Sequence, residues 1–374
     1  MPNIPADRCR GRLVQFLARL PAIVAWLACG PSIPAVGAPL WLVRLKVDGH
    51  EVEGSPISWS DQEIHLLGRD GRLWNFSPAR TTSFEHTAAQ FCSYSPSEFR
   101  AVLLRQLGPD YQVSGTGHYL VAHPRGEEDR WPQRFEDLYR TFVRYMGVRG
   151  FQTRPPPFPL VGIVCKSRAD FVRQSAANRE PVSNGVVGYY DLESNRIMLY
   201  DMGGGSASPH WKQNAGVLIH EATHQLAFNL GVHSRYAPPP RWLAEGLAML
   251  FEAPGVYDPG EHPQQTDRIN YPRLHLFQQR LLAGHRPETL LTLLASDQPF
   301  VRNPVAAYAE AWALTFFLVE QEPANYVRYL KLTAARPPFS DYPPAARVKD
   351  FASLFGDDWR MFEARFLRFV GRLP

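Results

Sequence analysis

PHWKQNAGVLIHEATHQLAFNLG, residues 209–231, is the segment around which the chain is predicted to fold. Ser208 before it is a favoured helix N-cap, Pro209 suits the first helical position, and no strong helix breaker follows before Gly231. We therefore predict one helix of about 20 residues. Apolar residues on most of its sides indicate that this helix is buried.

Inside the predicted helix, two histidines stand four residues apart in the run His220-Glu221-Ala222-Thr223-His224. Residues at that spacing lie one turn apart on the same face, so both imidazoles can bind one metal ion. Glu221 can then accept a proton from a water molecule at an open coordination position, as catalytic zinc requires. The alternative is two hydrogen-bonded core histidines, although burying them beside a carboxylate is costly without partners.

Catalytic zinc needs a third protein ligand. One known pattern has a glycine three residues after the second histidine and another histidine three residues further on. Ala227 and Leu230 occupy those positions here, and His233 is offset. WLAEGLA, residues 242–248, offers Glu245 as the only acid of an apolar segment, and a metal ion would give this carboxylate a partner. The alternative is an exposed glutamate on a helix surface.

The HEATH pattern, followed 21 residues after its second histidine by the glutamate of WLAEGLA, resembles the gluzincin zinc metallopeptidases. The resemblance is closest to the peptidase MA-like domains of exported, uncharacterised bacterial proteins, and it is strongest over residues 195–318. It implies Zn2+ bound by His220, His224 and Glu245, with Glu221 as the general base.

Gluzincins also commonly use a Tyr or His to donate a hydrogen bond to the developing oxyanion, a contribution of roughly 3 kcal/mol in comparable sites. The resemblance assigns this role to Tyr308, in AAYAEAW at residues 306–312, with His210 as second candidate. The alternative for Tyr308 is an aromatic residue packed in the core. The chain lacks the Gly-Ala-Met-Glu-Asn motif of the aminopeptidases, so endopeptidase activity is favoured.

The sequence predicts an α+β fold: a zincin-like metallopeptidase core with a mostly helical C-terminal half and a small N-terminal β module. The predicted divisions are a signal peptide at 1–38, the β module at 39–86, an α/β part at 87–205 and the helical catalytic part at 206–374. Predicted strands cover 41–47, 64–67, 73–76, 119–122, 160–165, 185–190 and 196–200. Hairpin turns are predicted at 69–71 and at 192–195. Further predicted helices cover 132–146, 167–176, 241–252, 274–283, 305–321 and 359–372. If Arg196–Tyr200 is a sheet edge, an extended peptide could pair with it.

The N-terminus predicts export, because a basic stretch through Arg19 is followed by an apolar run at 20–28 and small residues at 35–38. The apolar run is shorter than the roughly 20 residues of a transmembrane helix. WLAC at 26–29 resembles a lipoprotein box, so we expect membrane attachment only if Cys29 is lipidated or the signal stays uncleaved. The expected location is the periplasm, the cell envelope or the medium.

The formal net charge is +4, but residues 1–37 carry four arginines and one aspartate, so about +1 remains without them. No basic run with interleaved aromatic residues is present, and nucleic acid is therefore not an expected partner. Beyond the predicted signal, Cys92 and Cys165 form either one disulfide or two separately buried thiols.

The sequence thus predicts a zinc-dependent peptidase, with a preference for endopeptidase activity on peptide or protein substrates. The main alternative is a non-catalytic envelope protein whose structural zinc holds the helical half together while the β module binds a partner. The intact Glu221 favours the first interpretation, because a structural site needs no base. Zinc-dependent hydrolysis of another kind of bond is a third possibility.

Overall fold

The computed structural model describes residues 41–126, 130–178, 181–202 and 209–374, and these described residues form one compact unit. The predicted signal at 1–38, the predicted N-cap Ser208 and the side chain of His210 lie outside the described residues. The chain has an α+β fold with a small N-terminal β module and a mostly helical C-terminal half, as the sequence predicts.

The β module is one five-stranded antiparallel sheet, ordered β4-β3-β2-β1-β5. Its strands are β1 (Leu42–Val47), β2 (His50–Trp59), β3 (Ile64–Gly68), β4 (Leu73–Phe76) and β5 (Thr81–Ala88). The predicted turn between β3 and β4 is confirmed: Gly71 adopts φ 83° and donates its N–H to the carbonyl of Gly68 at 2.9 Å. The sequence pattern does not predict β5, because most of its side chains are exposed.

A second sheet carries the elements around the predicted metal site, in the order β6-β7-β8-β10-β9. Its strands are β6 (Tyr111–Gly115), β7 (Tyr119–Pro124), β8 (Leu160–Cys165), β9 (Gly188–Asp191) and β10 (Arg196–Tyr200). Strands β7, β8 and β10 are parallel, whereas β6 and β9 are antiparallel to their neighbours. The predicted hairpin between β9 and β10 is confirmed, but β10 is not a sheet edge, so the condition for peptide pairing on β10 is not met. The hairpin folds β9 back onto the outer side of β10, so β9 is the edge strand.

Helices cover both faces of the second sheet. On one face, α1 (Pro96–Leu107) and α3 (Arg168–Ala177) pack on Leu120, Ile163 and Met198. On the other face, α2 (Arg130–Val148) and α4 (Pro209–Asn229) pack on Val121, Val164 and other residues of the largest core. Side chains alternate between the two cores along each strand, as the pleat of a sheet requires.

The C-terminal half consists of helices around α5 (Arg241–Phe251) and α10 (Pro304–Gln321), which are buried along most of their length. The others are α6 (Pro254–Tyr257), α7 (Tyr271–Leu276), α8 (Pro287–Ala295), α9 (Pro299–Arg302), α11 (Pro323–Ala334), α12 (Pro344–Phe355) and α13 (Trp359–Gly371). The helix predicted at 274–283 differs in type, because α7 continues as a π-helical turn, Phe277–Leu281. Gln278 in this turn donates to the carbonyls of Val370 and Leu373. A tertiary contact therefore accompanies the change from α-helix to π-helix.

A buried histidine connects two of the C-terminal helices. His285 lies between two carboxylates, with Nδ1 2.8 Å from Glu363 of α13 and Nε2 2.9 Å from Glu310 of α10. Burial alone would lower the pKa of His285, but the hydrogen bonds to both glutamates outweigh it and raise the pKa above its ordinary value. The two hydrogen bonds of His285 therefore link α13 to α10.

The β module is joined to the β9–β10 hairpin by hydrogen bonds. Leu73 donates its backbone N–H to the carbonyl of Glu193 at 2.7 Å. Arg235, which is buried, donates to the carbonyls of Gly71 at 2.8 Å and Leu192 at 3.1 Å. The turn of the hairpin is thus supported from the β module and from the loop after α4.

Two sequence predictions concern the cysteines and the membrane. Cys92 is exposed and Cys165 is buried, and both are free thiols, so neither the disulfide nor a pair of buried thiols is formed. No helix within the described ranges is both long and apolar enough to cross a lipid bilayer.

Candidate metal centre

Helix α4 places His220, Glu221 and His224 together at one side of the second sheet. The helix is fixed to the sheet by Gln225, whose Nε2 donates to the carbonyls of Val161 at 3.0 Å and Asn195 at 2.9 Å. The side chains of His220 and His224 are 17% and 13% exposed, so they are partly accessible to solvent and not fully enclosed in the core.

Helix α5 brings Glu245 to the two histidines, with Trp242, Leu243 and Leu247 buried around it. Gly246 allows α10 to approach closely, since a Cβ at this position would overlap Thr315 Oγ1 and lie 2.7 Å from the carbonyl of Ala311. The glycine next to the glutamate therefore lets the helix that carries Tyr308 pack directly against α5.

Three potential ligand atoms form an almost equilateral triangle. His220 Nε2 lies 3.2 Å from His224 Nε2 and 3.3 Å from Glu245 Oε2, and His224 Nε2 lies 3.4 Å from the same oxygen. Tetrahedral zinc with ligand distances of about 2.0–2.1 Å requires ligand atoms about 3.3–3.4 Å apart. The separations of the three atoms therefore match a tetrahedral ion, and these residues form a metal-compatible cluster.

The hydrogen bonding of the Glu245 carboxylate also indicates a bound cation. Its Oε2 is buried and accepts no hydrogen bond from the described residues. A buried carboxylate oxygen without a donor is rare in folded proteins, and a bound cation is one accepted explanation. The residues present therefore fit a divalent cation held by His220, His224 and Glu245.

The electrostatics of the cluster favour positive charge. Burial alone would lower the pKa of His220, but the neighbouring carboxylates of Glu245 and Glu252 raise it well above its ordinary value. Burial alone would raise the pKa of Glu245, but His220 and His224 hold it well below its usual range. The carboxylates that attract a proton to His220 also attract a metal cation, and the two compete for the same nitrogen.

Two further residues, Glu252 and Asn270, hold His220 in place and are not predicted from the sequence. Glu252 Oε1 lies 2.8 Å from His220 Nδ1, and Glu252 Oε2 accepts a hydrogen bond from Asn270 Nδ2 at 2.8 Å. Glu252 follows Glu245 by seven residues, which is two helical turns, so this spacing is a signal that could have identified it. Asn270 is distant in sequence and carries no such signal.

Glu221 is held by the edge strand. Its Oε2 accepts a hydrogen bond from the backbone N–H of Tyr190 in β9 at 2.8 Å. Burial raises the pKa of Glu221, and the nearby His220 and His224 oppose this rise in part. A carboxylate with a raised pKa is a stronger base than an exposed one, which suits proton transfer near neutral pH.

Tyr308 lies beside the third potential ligand rather than in the core alone. Its hydroxyl donates to Glu245 Oε1 at 3.4 Å and accepts from Arg241 Nη2 at 3.1 Å. Burial, and then the charge of Glu245, raise the pKa of Tyr308, so the phenol stays protonated and able to donate. Arg241 is not predicted as a site residue, although its position four residues before Glu245 puts both on one helix face.

His233 lies outside the cluster, in agreement with its sequence offset. It is buried, and burial followed by the charge of His224 lowers its pKa to about 3. This histidine is therefore neutral at physiological pH and is not one of the grouped ligand atoms.

Residues 214–340 match a protein-family model described as a protein of unknown function (DUF1570), a family reported to be peptidase MA-like. The matched segment contains His220, Glu221, His224, Glu245 and Tyr308. No curated protein matches the chain.

Proposed function

We propose that this protein is a zinc-dependent peptidase of the gluzincin type, with a zincin-like core and a preference for endopeptidase activity. The observation that carries the proposal is the triangle of His220 Nε2, His224 Nε2 and Glu245 Oε2, with sides of 3.2–3.4 Å, next to Glu221. The peptidase MA-like family match over the same residues adds support.

In this proposal, zinc held by the three residues would supply a Lewis acid that polarises the scissile carbonyl and acidifies a water molecule. Glu221 takes the proton from the attacking water and passes it to the leaving amine. The hydrogen bond from Tyr190 N–H occupies one oxygen of Glu221, which fixes the carboxylate while its other oxygen accepts the proton. Tyr308 donates its hydroxyl proton in a hydrogen bond to the developing oxyanion.

The edge strand β9 suits an extended peptide substrate. It pairs with β10 on one side only, and no described strand pairs with its other side. Because Tyr190 belongs to β9 and contacts Glu221, a peptide added to this edge would pass directly beside the base. Peptide bonds are therefore the proposed substrate in preference to other hydrolysable bonds.

The number of ligands separates the catalytic from the structural interpretation. Structural zinc sites are closed by four protein ligands, whereas catalytic sites use three and leave one position open. Among the described residues, the cluster has three members. The alternative, a non-catalytic envelope protein with a partner-binding β module, does not explain why Glu221 is fixed beside the cluster.

We further propose that the protein acts after export, in the periplasm, the cell envelope or the medium, on peptides or proteins. Nucleic acid is not a proposed partner. Membrane attachment is proposed only for a protein lipidated at Cys29 or one that keeps its signal.

The proposal is tested with Glu221→Gln, which keeps the shape of the side chain and removes the base. The exposed Glu261 gives a matched control, Glu261→Gln. All three proteins are loaded with zinc and incubated with an unfolded protein substrate, and new N-termini are counted. We expect cleavage by wild type and Glu261→Gln, and a loss of at least about a hundredfold in Glu221→Gln. Equal, negligible cleavage by all three zinc-loaded proteins would support the structural alternative.

A further inference from the structure

Arg241 is a cation at the candidate site that the proposed chemistry does not use. It is the first residue of α5, and its side chain is 42% exposed. Its Nε lies 3.3 Å from Glu245 Oε1, and its Nη2 donates to the Tyr308 hydroxyl at 3.1 Å. The guanidinium therefore reaches a potential metal ligand and the proposed oxyanion donor while remaining accessible to solvent.

The guanidinium of Arg241 is held in a fixed orientation. Its central carbon lies 4.9 Å from the ring centre of Phe300 and 5.9 Å from that of Tyr308, and the backbone N–H donates to Asp297 at 3.0 Å. Nη1 forms no hydrogen bond with the described residues. A rigid planar cation with free N–H groups is suited to bind a carboxylate, because little side-chain entropy is lost.

The charge of Arg241 is only partly balanced. Glu245 is the one carboxylate within ion-pair distance among the described residues, and its Oε2 is directed to the histidines. A second guanidinium, that of Arg273, lies 5.6 Å from the ring centre of Tyr308 on α10. Two arginines thus lie near the ring of Tyr308, and a guanidinium is a group that can bind an anion.

Two exposed valines lie close in sequence to Phe300 and Tyr308, which contact this cation. Val305 is 53% exposed and precedes Tyr308 by three residues on α10, so the two share a helix face. Val301, which is 71% exposed, follows the Phe300 on which Arg241 packs. The two valines add exposed apolar surface close in sequence to the residues that contact Arg241.

We propose that Arg241 binds a substrate carboxylate, so that the site selects peptides with a carboxylate on a residue close to the scissile bond. This inference rests on the proposed peptidase function. The carboxylate is either the free C-terminus of the peptide or the side chain of Asp or Glu. Both sources present the same planar pair of oxygens to the guanidinium.

The test uses four peptides that share one scissile bond. The first ends in a free acid and the second is its C-terminal amide. The third and fourth are amides that carry Asp or Asn near the bond. We expect kcat/KM to be at least about tenfold higher for a peptide with a carboxylate than for its neutral partner. A preference for the first peptide identifies the chain end as the source, and a preference for the third identifies the acidic side chain.

The variants Arg241→Gln and Arg241→Lys show whether Arg241 recognises the substrate carboxylate or only holds Glu245 and Tyr308 in place. Arg302→Gln is the matched control, since Arg302 is exposed at the end of α9. We expect Arg241→Gln to abolish the preference, Arg241→Lys to keep part of it, and Arg302→Gln to leave it unchanged. An equal loss on all four peptides in Arg241→Gln would overturn the inference, because Arg241 would then act only through Glu245 or Tyr308.

A binding measurement makes the inference independent of turnover. The zinc-loaded Glu221→Gln protein, with and without Arg241→Gln, is titrated calorimetrically with the acid and amide peptides. Tighter binding of the carboxylate peptides, if it depends on Arg241, supports the inference. This holds even if wild type cleaves none of the peptides, because a lack of cleavage would reject only the peptidase function. Cleavage by wild type without any carboxylate preference would overturn the inference and leave the peptidase function standing.

Discussion

Replacing Glu252 with Gln should weaken metal binding without removing a ligand. For His220 Nε2 to bind a metal, the proton of the neutral imidazole must sit on Nδ1, which then donates to Glu252 Oε1 at 2.8 Å. The other carboxylate oxygen accepts from Asn270 Nδ2 at 2.8 Å, so both oxygens of Glu252 face donors. A glutamine has only one oxygen, and its NH2 group must therefore face a donor on one side.

The expected loss of zinc affinity follows from this mismatched hydrogen bond. Asn270 cannot simply turn, because its Nδ2 also donates to the carbonyl of Met249 at 3.1 Å and its Oδ1 caps α7 by accepting from Arg273 N–H at 3.4 Å. Loss of such a hydrogen bond to a ligating histidine typically lowers metal affinity by about 10- to 100-fold, or about 1.4–2.7 kcal/mol. We therefore expect Glu252→Gln to raise the dissociation constant for zinc by about 10- to 100-fold.

Competition with a chromophoric chelator measures the dissociation constant directly. Glu261→Gln is the control, because it removes the same charge from an exposed position. The reasoning is refuted if Glu252→Gln and the control bind zinc as tightly as wild type. A loss of stability without bound metal in Glu252→Gln, checked by urea unfolding of the apoprotein, would show a general packing role instead.

Three further predictions concern catalysis, packing and pH. Tyr308→Phe should lower kcat by about a hundredfold at unchanged zinc content, since an oxyanion donor is lost and no ligand is; an unchanged kcat would assign this tyrosine to packing. Gly246→Ala should destabilise the protein by about 1–3 kcal/mol in urea unfolding, because the added methyl group overlaps Thr315, and a stability equal to wild type would contradict this packing. The raised pKa of His285 stabilises the folded state fully below about pH 6.5 and progressively less as the pH rises through the folded-state pKa. The stability difference between wild type and His285→Gln should therefore shrink as the pH rises above about 6.5, and a constant difference would argue against a charged imidazole.

Local sequence signals were sufficient for the helices of the candidate site. The i, i+4 histidines and the helix signals at Pro209 and Gly231 predict α4, and the structure extends it from Pro209 to Asn229. Glu245 stands alone among apolar neighbours, and the structure brings it within 3.4 Å of both histidines. Such features depend on a few neighbouring residues, so they can be read before the fold is known.

The features that the sequence does not reveal depend on tertiary contacts. Asn270 supports Glu252 from 18 residues away, and Arg241 reaches Tyr308 across 67 residues, so no periodicity marks either contact. The place of β10 within the sheet cannot be read from the sequence for a related reason: Arg196–Tyr200 has the pattern of a strand, but strand order depends on how the hairpin folds back. Pairing partners are a property of the whole sheet and not of one strand.

Zinc content is the most direct test of the central claim, that His220, His224 and Glu245 form one metal site. The mature protein is incubated with zinc and dialysed, and the metal is measured by mass spectrometry beside the His224→Ala and Glu245→Gln variants. The account predicts about one zinc ion per wild-type chain and almost none in either variant. A wild-type chain without zinc, or zinc fully retained in both folded variants, would contradict it.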